Sequence, residues 1–393
     1  MKATGAIIII LILCLSGCHH NAPMRFELPR DADLVLQFAL SQYVRAVESL
    51  TDTTRMPVQA RADGSWVQKP TSDWVSGFFA GILWYLYDYS KDPFWEKQAR
   101  RWNAALEQEK FNTSTHDLGF MLYNSFGNGF RLTEDPNYRE ILIQGAESLI
   151  SRFNPIVGTI KSWDAPPEDH LTIIDNMMNL EYLMWTSKVT GDPKYRNIAI
   201  RHADVTLNYF FRSDGSSWHV VNFDPHTGAV KEKKTAQGYG NESSWARGQA
   251  WGGYGFTMMY RETGEQRYLD AAQKTMDRFI ERLPADRIPY WDFDAPKIPN
   301  EPKESSAAAI AASALLELST LVKDTNQKEH YYRAAVEILN RLANEPYLAH
   351  SGQYQCLLLH SNASVPAKVD VDANFTYADY YFIEALLRLL RYH

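Results

Sequence analysis

The fold is decided by a turn that recurs along the chain: Tyr89-Ser-Lys-Asp-Pro-Phe94, Leu132-Thr-Glu-Asp-Pro-Asn-Tyr138 and Val189-Thr-Gly-Asp-Pro-Lys-Tyr195. Looser copies follow at Glu262-Thr-Gly-Glu-Gln-Arg-Tyr268 and Lys323-Asp-Thr-Asn-Gln-Lys-Glu-His-Tyr331. At each one an apolar helical pattern stops, Asp offers a cap, and Pro suits the first turn of the next helix. The aromatics Phe94, Tyr138, Tyr195, Tyr268 and Tyr331 stand 44, 57, 73 and 63 residues apart. That is too uneven for a solenoid of fixed repeat, yet the helix pair itself keeps returning. Helix pairs broken by long, polar, Trp-bearing insertions, chiefly 154–170 and 213–241, suit a closed ring of six hairpins with its insertions at one mouth. The expected architecture is all-α, an (α/α)6 barrel with a small β-hairpin at 217–223. No βαβ alternation or GxGxxG run is present, so a dinucleotide fold is excluded.

Composition agrees with one large helical core. The 393 residues are 45% apolar and 22% charged, with 40 Lys+Arg against 47 Asp+Glu and a net charge of −7. A mildly acidic chain without a basic stripe offers no nucleic-acid surface. The 11 Trp, 22 Tyr and 18 Phe fit stacking on sugar rings and equally fit a large core.

The first residues read as an address. Lys2 precedes an apolar run at 7–13 and then Leu15-Ser16-Gly17-Cys18. This is a secretory signal over 1–17, shorter than the ~20 residues a membrane span needs. Leu-Ser-Gly-Cys resembles the bacterial lipoprotein signal, which implies lipidation of Cys18, a tether over 18–33 and a single catalytic domain over 34–393. The protein is then expected at the periplasmic face of a membrane, attached only through that lipid. With Cys14 removed and Cys18 modified, Cys356 alone remains, so no disulfide framework forms. No Cys/His spacing suits a metal.

Three clusters carry candidate chemistry. Thr115-His116-Asp117-Leu118-Gly119-Phe120 opens a helical pattern, where Thr115 or Asp117 is either an N-cap or a working group. In Ile173-Ile-Asp-Asn-Met-Met-Asn-Leu180, Asp175 interrupts an apolar run. A buried carboxylate there caps, finds partners or is held for use. In Ser243-Ser-Trp-Ala-Arg-Gly-Gln-Ala-Trp-Gly252, Arg247 lies between Trp245 and Trp251 at helical spacing. A planar fork and stacking planes would hold an anionic sugar ring, or the Arg is structural.

These segments resemble the bacterial unsaturated glucuronyl hydrolases, glycoside hydrolase family 88, as do Thr71-Ser-Asp-Trp-Val-Ser-Gly-Phe-Phe-Ala-Gly-Ile-Leu-Trp84, Tyr290-Trp-Asp-Phe293, Ser305-Ser-Ala-Ala-Ala309 and Tyr377-Ala-Asp-Tyr-Tyr-Phe-Ile-Glu-Ala-Leu386. The resemblance runs in order from about residue 35 to 393. Related unsaturated rhamnogalacturonyl hydrolases tend to carry Arg-Gly-Asn where this chain has Arg247-Gly248-Gln249. The resemblance implies an (α/α)6 barrel, Asp175 as general acid/base and Asp117 as the second essential carboxylate, with His116 beside it. It implies that Trp74, Trp163, His219, Gln237, Arg247 and Trp251 line the pocket, with Trp245 between them. Where relatives often carry His-Gln, this chain has Ala236-Gln237.

The implied substrate is an oligosaccharide ending in an unsaturated uronic acid, of the kind lyases release from glycosaminoglycans. Its C4=C5 bond is a vinyl ether, and hydrating it requires a proton at C4 and water at C5. One carboxylic acid can give and then take the proton, so no nucleophile, cofactor or metal is expected. A second carboxylate and an apolar wall would keep that acid protonated near neutrality. No protein partner is expected. Ser361, Ser364 and Lys368, in the loop 360–368, are candidates for a sulfate contact. Two rivals stand beside this reading. One is an inverting glycosidase using Asp175 with Asp292 or Asp294; the other is a non-catalytic glycan-binding lipoprotein, which needs no carboxylate pair.

Overall fold

The computed structural model describes residues 25–349 and 354–392. The expected signal segment and Cys18 lie outside the described residues. Helices α1 (Ala32–Ser49), α2 (Ser76–Ser90), α3 (Pro93–Leu106), α4 (Asn128–Thr133), α5 (Pro136–Ile150) and α6 (Leu180–Thr190) make up the first half. The second half contains α7 (Pro193–Tyr209), α8 (Ala246–Thr263), α9 (Gln266–Glu281), α10 (Ser305–Leu321), α11 (Thr325–Leu342) and α12 (Thr376–Arg391). A π-helical segment, Gly119–Gly127, runs into α4, and a 3-10 segment, Ile174–Asn179, runs into α6.

The inner wall follows the order α2, the π segment with α4, α6, α8, α10 and α12, and α12 returns to α2 to close the ring. Each inner helix has an outer partner, and α1 pairs with α12, the first described helix with the last. The expected (α/α)6 barrel is what forms. The Asp-Pro turns work as their chemistry requires. Asp92, Asp135 and Asp192 each accept from the backbone N–H two residues on, at 2.9–3.0 Å, with Pro in the first turn. Asp324 accepts from the Gln327 N–H at 2.9 Å, whereas Glu265 makes no such cap.

Inner helices are buried almost all round, as in α8 and α10, while outer helices such as α9 bury one stripe. Close approach is built in at Gly255 of α8, where a Cβ would meet Met177 Cβ at 2.5 Å. That contact seats the 3-10 segment carrying Asp175 directly against α8.

The insertions form β1 (Met56–Ala60) with β2 (Trp66–Lys69), β3 (Phe153–Asn154) with β4 (Thr159–Ile160), and a sheet of β5 (His170–Ile173), β6 (Val220–Phe223) and β7 (Val230–Lys234). The expected hairpin at 217–223 is thus the middle strand of three. β6 pairs antiparallel with β7 and also with β5, which comes from the other long insertion. The expected tether also ends earlier than residue 33. Phe26 and Leu28 are buried, and their N–H groups donate to Asn344 Oδ1 at 2.9 Å and Asn340 Oδ1 at 2.6 Å on α11 and just beyond it. Two apolar side chains there gain more from the α11 surface than from water.

Candidate active site

Asp175 sits in the first turn of the 3-10 segment, immediately after β5. The residue is 8% exposed, and its Oδ2 has no hydrogen-bond partner. Burial pushes its pKa up to about 7; the Arg247 charge opposes that rise and the Asp117 charge adds to it. Asp117 therefore lies within electrostatic reach of Asp175, as a carboxylate pair requires. It does not cap the π segment. Thr115 Oγ1 donates to its Oδ2 at 2.8 Å, and His116 Nε2 lies 3.3 Å from its Oδ1.

His219 faces Asp175 from the other side, with Nε2 3.7 Å from Oδ2. The N–H groups of Ala236 and Gln237 point at His219 Nδ1, at 3.2 and 3.3 Å. Nδ1 is therefore the acceptor, which assigns the ring proton to Nε2, on the Asp175 side. Burial pushes His219 down to about 3 and lowers His116 as well, so both rings are neutral at pH 7. With both rings neutral, Arg247 is the cation that opposes the raised pKa of Asp175, and it does not overcome burial.

The tryptophans divide by exposure. Trp74 is half-buried and stacks on Tyr377 with ring centroids 5.1 Å apart; Trp163, also half-buried, meets His219 edge-on at 6.1 Å. Both keep surface for a ligand. Trp245 is 4% exposed and packs on His219 at 4.4 Å. Trp251 is fully buried against Phe120 and Tyr381, so it offers no face to a sugar ring. Its indole favours the Asp175 anion, which places it at the floor beside the acid.

Several sequence expectations need correction. Arg247 was expected to hold the substrate carboxylate, yet it is 1% exposed and its fork is spent inside the protein. Nη1 donates to Asn362 O at 2.7 Å and pairs with Glu304 at 3.2 Å, Nη2 donates to Ala363 O at 3.2 Å, and the guanidinium lies 4.5 Å from the Trp245 ring. It locks α8 to the loop after residue 360. Gln237 also belongs to that lock, donating to Ala363 O at 2.9 Å. Ser361 is fully buried and bonded to Ser305 Oγ at 2.7 Å, so it is no sulfate contact. Ser364 and the exposed Lys368 stand on the same loop as a turn, with Ser364 N donating to Val369 O at 3.1 Å. Gln249 anchors residues 215–217, accepting from Ser217 N and donating to Gly215 O, both at 2.8 Å.

The rival acids are committed elsewhere. Asp292 accepts from Tyr239 N at 2.8 Å and Ser243 Oγ at 2.6 Å, and Asp294 pairs with Arg282 at 2.8 Å. Sequence reasoning passed over Asn176, Asn179, Glu304 and Tyr377, although all but Glu304 stand in the segments quoted above. Only the three-residue step from Asn176 to Asn179 hinted at paired amides. Among the described residues no three His, Cys, Asp or Glu side chains converge as metal ligands.

Comparison with known proteins settles the lineage. The profile of Glycosyl Hydrolase Family 88 matches residues 48–388. The chain belongs to that family. It is 44% identical to the unsaturated glucuronyl hydrolase of Formosa agariphila, over 81% of this chain and 80% of the relative. It is 32% identical to the unsaturated chondroitin disaccharide hydrolase of Streptococcus pyogenes serotype M1, over 85% and 86%. The crystal structure of an unsaturated glucuronyl hydrolase specific for heparin superposes with a TM-score of 0.87 at 42% identity, covering 92% of this chain and 97% of that one.

Proposed function

We propose that this family 88 hydrolase hydrates the C4=C5 bond of an unsaturated uronic acid at the non-reducing end of lyase-generated glycosaminoglycan oligosaccharides. The observation that carries the reading is the buried Asp175 carboxyl, whose Oδ2 has no hydrogen-bond partner, with a neutral His219 facing it and a second carboxylate, Asp117, in electrostatic range.

Protonated Asp175 delivers its proton to C4 of the vinyl ether. Positive charge develops at C5, and water adds there, returning a proton to Asp175. The hemiketal opens to a ketone at C5, and the former glycosidic carbon releases the aglycone as an alcohol. Atoms balance as one water per bond cleaved. Trp74 and Trp163, the half-exposed rings, flank the sugar, while Trp251 and the Arg247–Glu304 lock hold the floor and wall behind it.

Turnover in ¹⁸O-labelled water tests the chemistry, with borohydride reduction trapping the ketone before it exchanges. Label at C5 of the released acid supports hydration, and label at the anomeric carbon overturns it in favour of ordinary glycoside hydrolysis. Export and lipidation at Cys18 rest on Leu15-Ser16-Gly17-Cys18 alone. Cys18→Ala should release the protein from membranes, and unchanged membrane recovery would reject the anchor.

A further inference from the structure

Two buried asparagines that no step above uses join the turns bearing the two acids. Asn176 follows Asp175 directly and Asn179 lies three residues on; they are 0% and 1% exposed. The Gly119 N–H can only donate, so the side-chain atom 2.8 Å from it is Asn179 Oδ1. Asn179 Nδ2 then donates to Asn176 Oδ1 at 2.8 Å. At the other end the Ile160 carbonyl can only accept, so Asn176 Nδ2 faces it at 2.9 Å and also reaches Ser162 Oγ at 2.8 Å. Each amide is thus oriented independently by a backbone group, and the two orientations agree at the bond between them. The contact has no slack, since a Cβ at Gly119 would meet Asn179 Oδ1 at 2.6 Å. Gly119 is two residues from Asp117, and the Asn176 side chain also interacts with His116.

We propose that the Asn176–Asn179 amide pair fixes the spacing between the Asp117 and Asp175 carboxylates, making both asparagines positioning residues for the reaction. The inference rests on Asp175 being the proton donor. The other groups bearing on Asp175 are held by separate elements: Arg247 by α8, Trp251 by α8 and His219 by the segment leading into β6. The amide pair is the side-chain hydrogen-bonded link between the Asp175 turn and the start of the π segment among the described residues, and a longer gap between like charges weakens their mutual repulsion.

The test uses the full chain with Asn179→Ala and the isosteric Asn179→Asp, which keeps the acceptor for Gly119 but sets an oxygen against Asn176 Oδ1. Turnover of an unsaturated disaccharide should fall about 100-fold in kcat, the scale of a misplacement near 1 Å, with KM nearly unchanged. The titration of Asp175, followed by ¹³C NMR without substrate, should move from its wild-type midpoint. Asn179→Asp should recover towards wild type at low pH, where its protonated carboxyl can donate again. If Asn179→Ala does not fold, Asn179→Asp and Gly119→Ala carry the test. Wild-type kcat and an unmoved Asp175 titration in a folded variant would overturn the proposal, as would a loss of melting temperature alone. If the wild type itself fails to hydrate the disaccharide, the functional reading falls, while the NMR titration still judges the spacing role.

Discussion

At the mouth of the barrel Asp175 is buried with one oxygen unpartnered and a neutral His219 3.7 Å away. At the far end of the same lumen, beyond the Phe120, Trp251 and Tyr381 floor, Glu317 is nearly as buried but meets Arg261 at 2.5 Å and Arg388 at 3.1 Å. Burial pushes both carboxyls up. Arg388 and Arg261 more than offset it at Glu317, which ends below its ordinary value, whereas Asp175 ends near 7. Glu181 and Glu384 extend the far network across α6 and α12, and a cavity of about 350 Å³ lies among these groups, away from the acids at the mouth. Depth alone does not make an acid catalytic. What differs is the balance: Arg388 and Arg261 together outweigh burial at Glu317, whereas Arg247 opposes it at Asp175 without outweighing it.

The widest test of that contrast is Asp175→Asn. It should lower turnover of an unsaturated disaccharide by more than about 1000-fold, in the range of a lost general acid, while leaving binding measurable. Near-normal loss of ultraviolet absorbance would remove Asp175 from the chemistry. The same variant should be more stable than wild type at pH 8. A carboxyl whose folded pKa near 7 exceeds its unfolded value near 3.8 stabilises below the lower value and loses that contribution as pH rises through about 7. Asn cannot ionise, so its advantage, bounded at about 4 kcal/mol by linkage, should grow from pH 4 to pH 8 in thermal melts. An advantage independent of pH would contradict the raised pKa. Glu317→Ala should do the reverse, costing about 3 kcal/mol by leaving Arg261 and Arg388 buried without it, with kcat of the folded enzyme unchanged. A variant as stable as wild type would show that the far network contributes little.

The sequence carried the ring of hairpins because Asp-Pro caps act locally: the residues that end one helix and start the next are neighbours in the chain. Asp175 stood out as a charge intruding on an apolar run, whereas Asp117, after Thr115-His116, read as a cap or a working group and gained its role only from the family resemblance. Arg247 misled because residue type shows what a side chain can bind, not what it meets. Glu304 and the Asn362 and Ala363 carbonyls reach it only through the closed ring. Ser361 failed likewise, since Ser305 is its partner across a loop contact. The third strand of the mouth sheet was hidden because β5 and β6 come from separate insertions. Asn176 and Asn179 are ordinary helix-start polar residues until Gly119 and Ile160 are brought to either side.

The central claim, that burial and Asp117 together hold Asp175 as a protonated acid near neutrality, is tested most directly by the pH dependence of kcat/KM in wild type and Asp117→Asn. Wild-type activity should be full in mildly acid solution and fall as pH rises through about 7, where Asp175 loses its proton. Removing the Asp117 charge should shift that descending limb to lower pH. A limb that stays where it was in Asp117→Asn, or a wild-type rate that rises through neutrality, would contradict the account.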